Sequence, residues 1–113
     1  MTARGLSVVQ LPIHGQDWPA VIDTGFAGDL ELPEGLFPVL QPLFVFQRRF
    51  ALGGGQTNVE DVFLVDFPFD GEVVAAEATF VDSSEILLGT GLLRDYRLTI
   101  DFPARTVLLE RVP

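Results

Sequence analysis

Short runs of β-branched and aliphatic residues, each cut off after about ten positions by a turn signal, set the strongest limit on what this chain can fold into. Residues 6–13 run into His14-Gly15-Gln16-Asp17, and residues 18–23 restart the apolar run as the second arm of a hairpin before Thr24-Gly25 ends it. Leu30-Glu31-Leu32 alternates as a short strand does. Residues 43–52 and 57–67 read as the arms of a long hairpin around Gly53-Gly54-Gly55-Gln56, whose glycines suit a mobile tip. Asp70-Gly71 marks the next turn, residues 73–81 the next extended run, and Ile86-Leu87-Leu88 a buried strand. The chain closes on another hairpin, residues 97–102 and 106–112 around Pro103-Ala104-Arg105. Helices have little room. Pro33 and Glu34 open a helical turn that Pro38 and Pro42 keep short, and residues 92–96 predict a second, also of one or two turns. The pattern predicts an all-β domain, barrel or sandwich, with one or two short helices.

Of the 113 residues, 48% are hydrophobic and ten are Phe, enough for one core, so a single domain over residues 1–113 is expected. Sixteen acidic residues face seven basic ones, all Arg, for a formal net charge of −9. Such a surface repels phosphate backbones and anionic lipid, and Arg48-Arg49 is the largest basic cluster. Neither nucleic acid nor a membrane is therefore expected as a partner. Without cysteine there is no disulfide, no thiolate nucleophile and no zinc finger or ribbon. No stretch reaches the roughly 18 apolar residues of a membrane span, and residues 1–12 lack the apolar run of a leader, so a cytoplasmic protein is the default. His14 stands alone in a turn, with no partner for a metal site or a His-based triad. The glycines at 53–55 lack the Lys and Ser/Thr of a phosphate loop. No cofactor and no metal are expected.

Asp23-Thr24-Gly25 directly follows the second apolar run. It has one echo: Ile22-Asp23-Thr24-Gly25-Phe26 and Leu88-Gly89-Thr90-Gly91-Leu92 share a frame of apolar, variable, Thr, Gly, apolar. In that frame Gly89 stands where the first copy has Asp23, so one chain supplies one carboxylate.

In this order, with these neighbours, the chain resembles the retropepsin-like aspartic peptidases, and most of all their small bacterial members. The elements are a strand ending in Asp23-Thr24-Gly25, a Gly-rich hairpin tip at 53–55, and Ile86-Leu87-Leu88-Gly89 followed by a short helix. The resemblance implies a small closed acid-protease-like barrel with a flap hairpin, and an endopeptidase active as a homodimer. Asp23 of each subunit would form the acid/base pair, with water as nucleophile and a peptide or protein as substrate. It implies that the Thr24 hydroxyl engages the partner's loop, that Gly25 lets the backbone approach the substrate, and that Gly53, Gly54 and Gly55 form the flap over it. Phe26 and Ala27, next to the triplet, are assigned to substrate binding. Phe44, Phe46, Phe50 and Leu52 are expected either as walls for substrate side chains or as core, and residues 97–112 as a contributor to a dimer sheet. Retroviral enzymes follow the triplet with Ala and acidic residues that bind substrate backbone, whereas this chain has Phe26-Ala27-Gly28. No such role is carried onto Asp29, and the bulk of Phe26 narrows the cleft. The alternative is a retropepsin-like dimer that binds peptides or partner proteins without cutting them.

Overall fold

The computed structural model describes residues 8–113, the Phe50 side chain excepted; residues 6 and 7 of the first expected strand lie outside it. Strands β1 (Val8–Ile13) and β2 (Gln16–Ile22) pair antiparallel across His14-Gly15. Both turn residues have positive φ, as do Asp70-Gly71 at a later hairpin, which is the backbone that two-residue hairpin loops require. β2 becomes progressively buried along its length and ends on Ala20-Val21-Ile22, a continuous apolar run in the middle of a sheet. β3 (Leu30–Pro33) leads into a 3-10 turn over Glu34–Leu36 and a single helical turn, α1 (Phe37–Leu40). Pro38 opens that helix, and Gln41 in the left-handed conformation, followed by Pro42, ends it.

β4 (Leu43–Ala51) and β5 (Thr57–Phe69) form the long hairpin, with a bulge between Phe44 and Phe46. The tip is closed by the Leu52 N–H donating to the Gln56 carbonyl at 2.7 Å. In β5 the first half is exposed, while Val62, Val65, Phe67 and Phe69 are buried. The hairpin therefore has an anchored base and an outer half that projects from the core. Phe44 and Phe46, near the start of β4, and Leu52, beside the tip, are 52%, 38% and 44% exposed, so they are not core. β6 (Glu72–Val81) and β7 (Ile86–Leu88) complete a mixed seven-stranded sheet of order β1-β2-β7-β3-β6-β5-β4.

The all-β expectation holds, but the closed barrel does not. The sheet is open, with β1 and β4 as its edges. β8 (Tyr96–Asp101) and β9 (Thr106–Arg111) form a separate two-stranded sheet that lays Tyr96, Leu98, Val107 and Leu109 onto the core. Tyr96 fastens it by stacking edge-on to Phe69 at 5.3 Å and donating to Asp70 at 2.9 Å. Arg111 adds an ion pair to Glu72 at 3.1 Å. The helix expected at 92–96 is also absent, and residues 90–95 form successive turns. Leu92 and Tyr96 each donate three residues back, and the Asp95 carbonyl accepts from Val112 in the terminal hairpin, so no helical ladder propagates. Among the described residues no buried side chain is polar, and no helix is long and apolar enough to cross a membrane.

Candidate active site

The Asp23 loop is held by the parallel pairing of β2 with β7. Ala20, Val21 and Ile22 stand opposite Ile86, Leu87 and Leu88. The register sets the two echoing segments side by side: Asp23-Thr24-Gly25 leaves β2 level with Gly89-Thr90-Gly91 leaving β7. The ladder then continues beyond the strands. The Asp23 N–H donates to the Leu88 carbonyl at 3.0 Å, Gly89 to Asp29 at 2.9 Å, Thr90 to Phe26 at 2.8 Å and Gly91 to Gly28 at 3.1 Å. A loop that would otherwise leave its backbone groups to solvent is thus bonded along most of its length.

The close approach dictates one residue type. A Cβ on Gly89 would fall on the Gly28 carbonyl, with the Phe26 ring 2.8 Å away. The position in the second segment that matches Asp23 therefore has no space for any side chain, carboxylate included. The Asp29 carboxylate adds a further tie, accepting from the Glu77 N–H of β6 at 3.0 Å. Sequence reasoning left Asp29 without a role; here it fastens the loop to the strand behind it.

Asp23 is half-buried, and its Oδ1 accepts the Gly25 N–H at 3.0 Å, which fixes the carboxylate within its own turn. Thr24, Gly25 and Ala27 are exposed, and Phe26 is half-buried against Gly28. Among the described residues the Thr24 hydroxyl has no hydrogen-bond partner in its own chain. The triplet, Phe26 and Ala27 are thus together on one loop, but Gly53, Gly54 and Gly55 are not with them. At all three, the space a Cβ would occupy is open, and the tip lines no cavity beside the loop.

Two depressions flank the loop. One, of about 140 Å³, lies between Phe26, Leu30, Glu31, Arg48, Glu60 and Val62. A more open one, of about 420 Å³, runs past Ala27, Glu77 and Arg94. Asp23 lines neither, but its charge is felt in the first: the Glu31 carboxyl is held above its ordinary range by partial burial, then by the charges of Glu60 and Asp23. The Leu30-Glu31-Leu32 alternation signalled a short strand, and in it Leu30 and Leu32 are buried while Glu31 is half-buried. Nothing in the strand pattern said that the hairpin arms would bring Arg48 and Glu60 to it. Among the described residues no group of three His, Asp or Glu is arranged to hold a metal ion.

The same fold occurs in solved aspartic proteases. A retropepsin-like aspartic protease from Rickettsia conorii superposes with a TM-score of 0.65 at 17% identity, over 98% of this chain and 86% of that one. The protease of simian foamy virus (mac) gives 0.63 at 20% identity, over 78% and 92%. The foamy viral protease-reverse transcriptase, in complex with an RNA/DNA hybrid, also gives 0.63, at 18% identity over 88% of this chain, which spans only 14% of that polypeptide. The chain therefore has a retropepsin-like fold. No protein-family model matches it, and no curated protein does either.

Two outcomes follow from this geometry. Gly89→Ala should destabilise the fold by about 3 kcal/mol or more in urea unfolding, because the clash is with backbone rather than a movable side chain. Glu31→Gln should raise the thermal midpoint at pH 7 to 8. Folding raises the Glu31 pKa, so the folded state disfavours the charged form, and this penalty is present above the folded pKa. It fades as pH falls towards the unfolded value, so the gain should vanish below about pH 4.

Proposed function

We propose that this chain is one subunit of an aspartic endopeptidase that becomes active as a homodimer. The observation that carries the reading is a single carboxylate, Asp23, oriented on an exposed loop of a retropepsin-like fold, with the matching position filled by a Gly that admits no side chain. One carboxylate is half of an acid/base pair. A two-fold axis beside the loop supplies the other from a second copy, the commonest closed symmetry for a soluble oligomer. The exposed Thr24 hydroxyl suits the role of bonding across that axis to the partner's loop. The terminal hairpin turns Leu108 and Phe102 outward at 53% and 66% exposure, apolar area that a second copy would cover.

The pair works as one unit. The ionised carboxylate takes a proton from water, whose oxygen attacks the scissile carbonyl carbon, while the protonated carboxyl hydrogen-bonds the carbonyl oxygen. A tetrahedral diol results. As the C–N bond breaks, a proton passes to the departing nitrogen, leaving a carboxylic acid, an amine and one proton again shared by the dyad. The substrate lies extended between the loop and the β4–β5 hairpin, whose glycine tip folds over it as a flap, with Phe26 and Ala27 on the loop side. Because the fold contains no cysteine it needs no oxidising compartment, which suits the cytoplasm.

Asp23→Asn should lower peptide hydrolysis by about 10⁴-fold or more while circular dichroism and sedimentation stay those of the parent. A statine-type transition-state mimic should inhibit the parent. Retained hydrolysis in Asp23→Asn would overturn the assignment. Peptide binding with no cleavage by the parent would instead favour a non-catalytic peptide-binding dimer.

A further inference from the structure

The smaller depression beside the Asp23 loop has an apolar floor and a charged rim. The floor is Phe26 with Leu30 and Val62, the last two each 1% exposed. The rim carries one group from each surrounding strand: Glu31 of β3, Arg48 of β4, Glu60 of β5 and Glu77 of β6. These charges do not cancel. The Arg48 guanidinium is shared, 3.8 Å from Glu60 and 3.5 Å from Glu77. Among the described residues, no ion pair reaches Glu31. With Asp29 of the loop, whose carboxylate accepts the Glu77 N–H, four carboxylates thus face one guanidinium around a space beside the Asp23 loop. The wider depression adjoins it and shares Asp29, Arg48 and Glu77, but there Arg94 adds a second cation and Glu31 and Glu60 are missing from the lining.

We propose that the smaller depression is a substrate pocket selective for a cationic side chain, Lys or Arg, with Glu31 as the specificity-determining residue and Glu60 assisting it. A void of about 150 Å³ takes up a body the size of benzene, so this space accepts one side chain. Lys and Arg carry an apolar stem beneath a charged head. The stem matches Phe26, Leu30 and Val62, and the head reaches the rim carboxylates. An apolar side chain would fill the floor but leave Glu31 partly buried and unpaired, and an acidic one would add another like charge. The crowding already felt by the Glu31 carboxyl agrees with a site that lacks its cation.

The inference rests on the peptidase reading, and the test separates the two. Peptides differing only by Lys, Met or Glu at one position, stepped along both sides of the scissile bond, are compared by kcat/KM at low ionic strength. At one position Lys should exceed Met by about tenfold, with Glu poorest. Glu31→Gln should bring the Lys-to-Met ratio close to one, and Glu31→Lys should reverse the order of Lys and Glu. Each ratio is taken within one variant, so loss of folded protein drops out of it. Equal kcat/KM for Lys and Met at every position, or a Lys preference unchanged in Glu31→Gln, overturns the pocket and leaves the peptidase intact. Should no peptide be cleaved, the peptidase reading fails, and the same peptides are titrated by fluorescence anisotropy. Tighter binding of the Lys peptide, lost in Glu31→Gln, then upholds the pocket in a binding protein; binding without that preference, or no binding, overturns it.

Discussion

The parallel pairing of β2 with β7, extended past both strand ends by the Asp23–Leu88 and Gly89–Asp29 hydrogen bonds, is the constraint on which the rest of the structure depends. It joins segments more than sixty residues apart in sequence and fixes the height at which the Asp23 loop leaves the sheet. It also brings the Gly28 carbonyl to the place where a side chain at 89 would stand. That one contact has two consequences. It bonds the loop along most of its length, and it makes the chain asymmetric, with a carboxylate on one of two matching segments and none on the other. On the proposed peptidase reading, the second carboxylate of the pair comes from a second copy.

Much of this was legible in the residues, because strand periodicity and turn chemistry are local. His14-Gly15 and Asp70-Gly71 need positive φ and fall where the hairpins turn. Val65, Phe67 and Phe69 alternate inward because the base of β5 lies on the core. The echo between 22–26 and 88–92 was legible as a frame, and its meaning as a parallel register appears only once Ile22 stands opposite Leu88. The failures are all non-local. Leu92-Leu93 has helical composition, yet the Asp95 carbonyl is taken by Val112 and the segment settles into turns. Closure into a barrel depends on where the two edge strands end up, and here β8 and β9 cover the core as a sheet of their own.

The site was legible unevenly for the same reason. Asp23, Thr24 and Gly25 are contiguous, so their chemistry could be read as a unit. Glu31, Arg48, Glu60 and Glu77 come from four strands, and only the side-by-side order β3-β6-β5-β4 brings them to one rim. That rim is also where the fold departs from its otherwise apolar and satisfied interior. A crowded Glu31 costs stability in the isolated chain, as groups kept for binding often do.

The half-site claim is tested most directly by subunit mixing. Parent protein and Asp23→Asn chains are refolded together in equal amounts, and hydrolysis is compared with the same total concentration of parent alone. If each active unit needs Asp23 from both of two copies, random pairing leaves about a quarter of the activity. Retention of about half, the value for independent one-chain sites, would contradict the account.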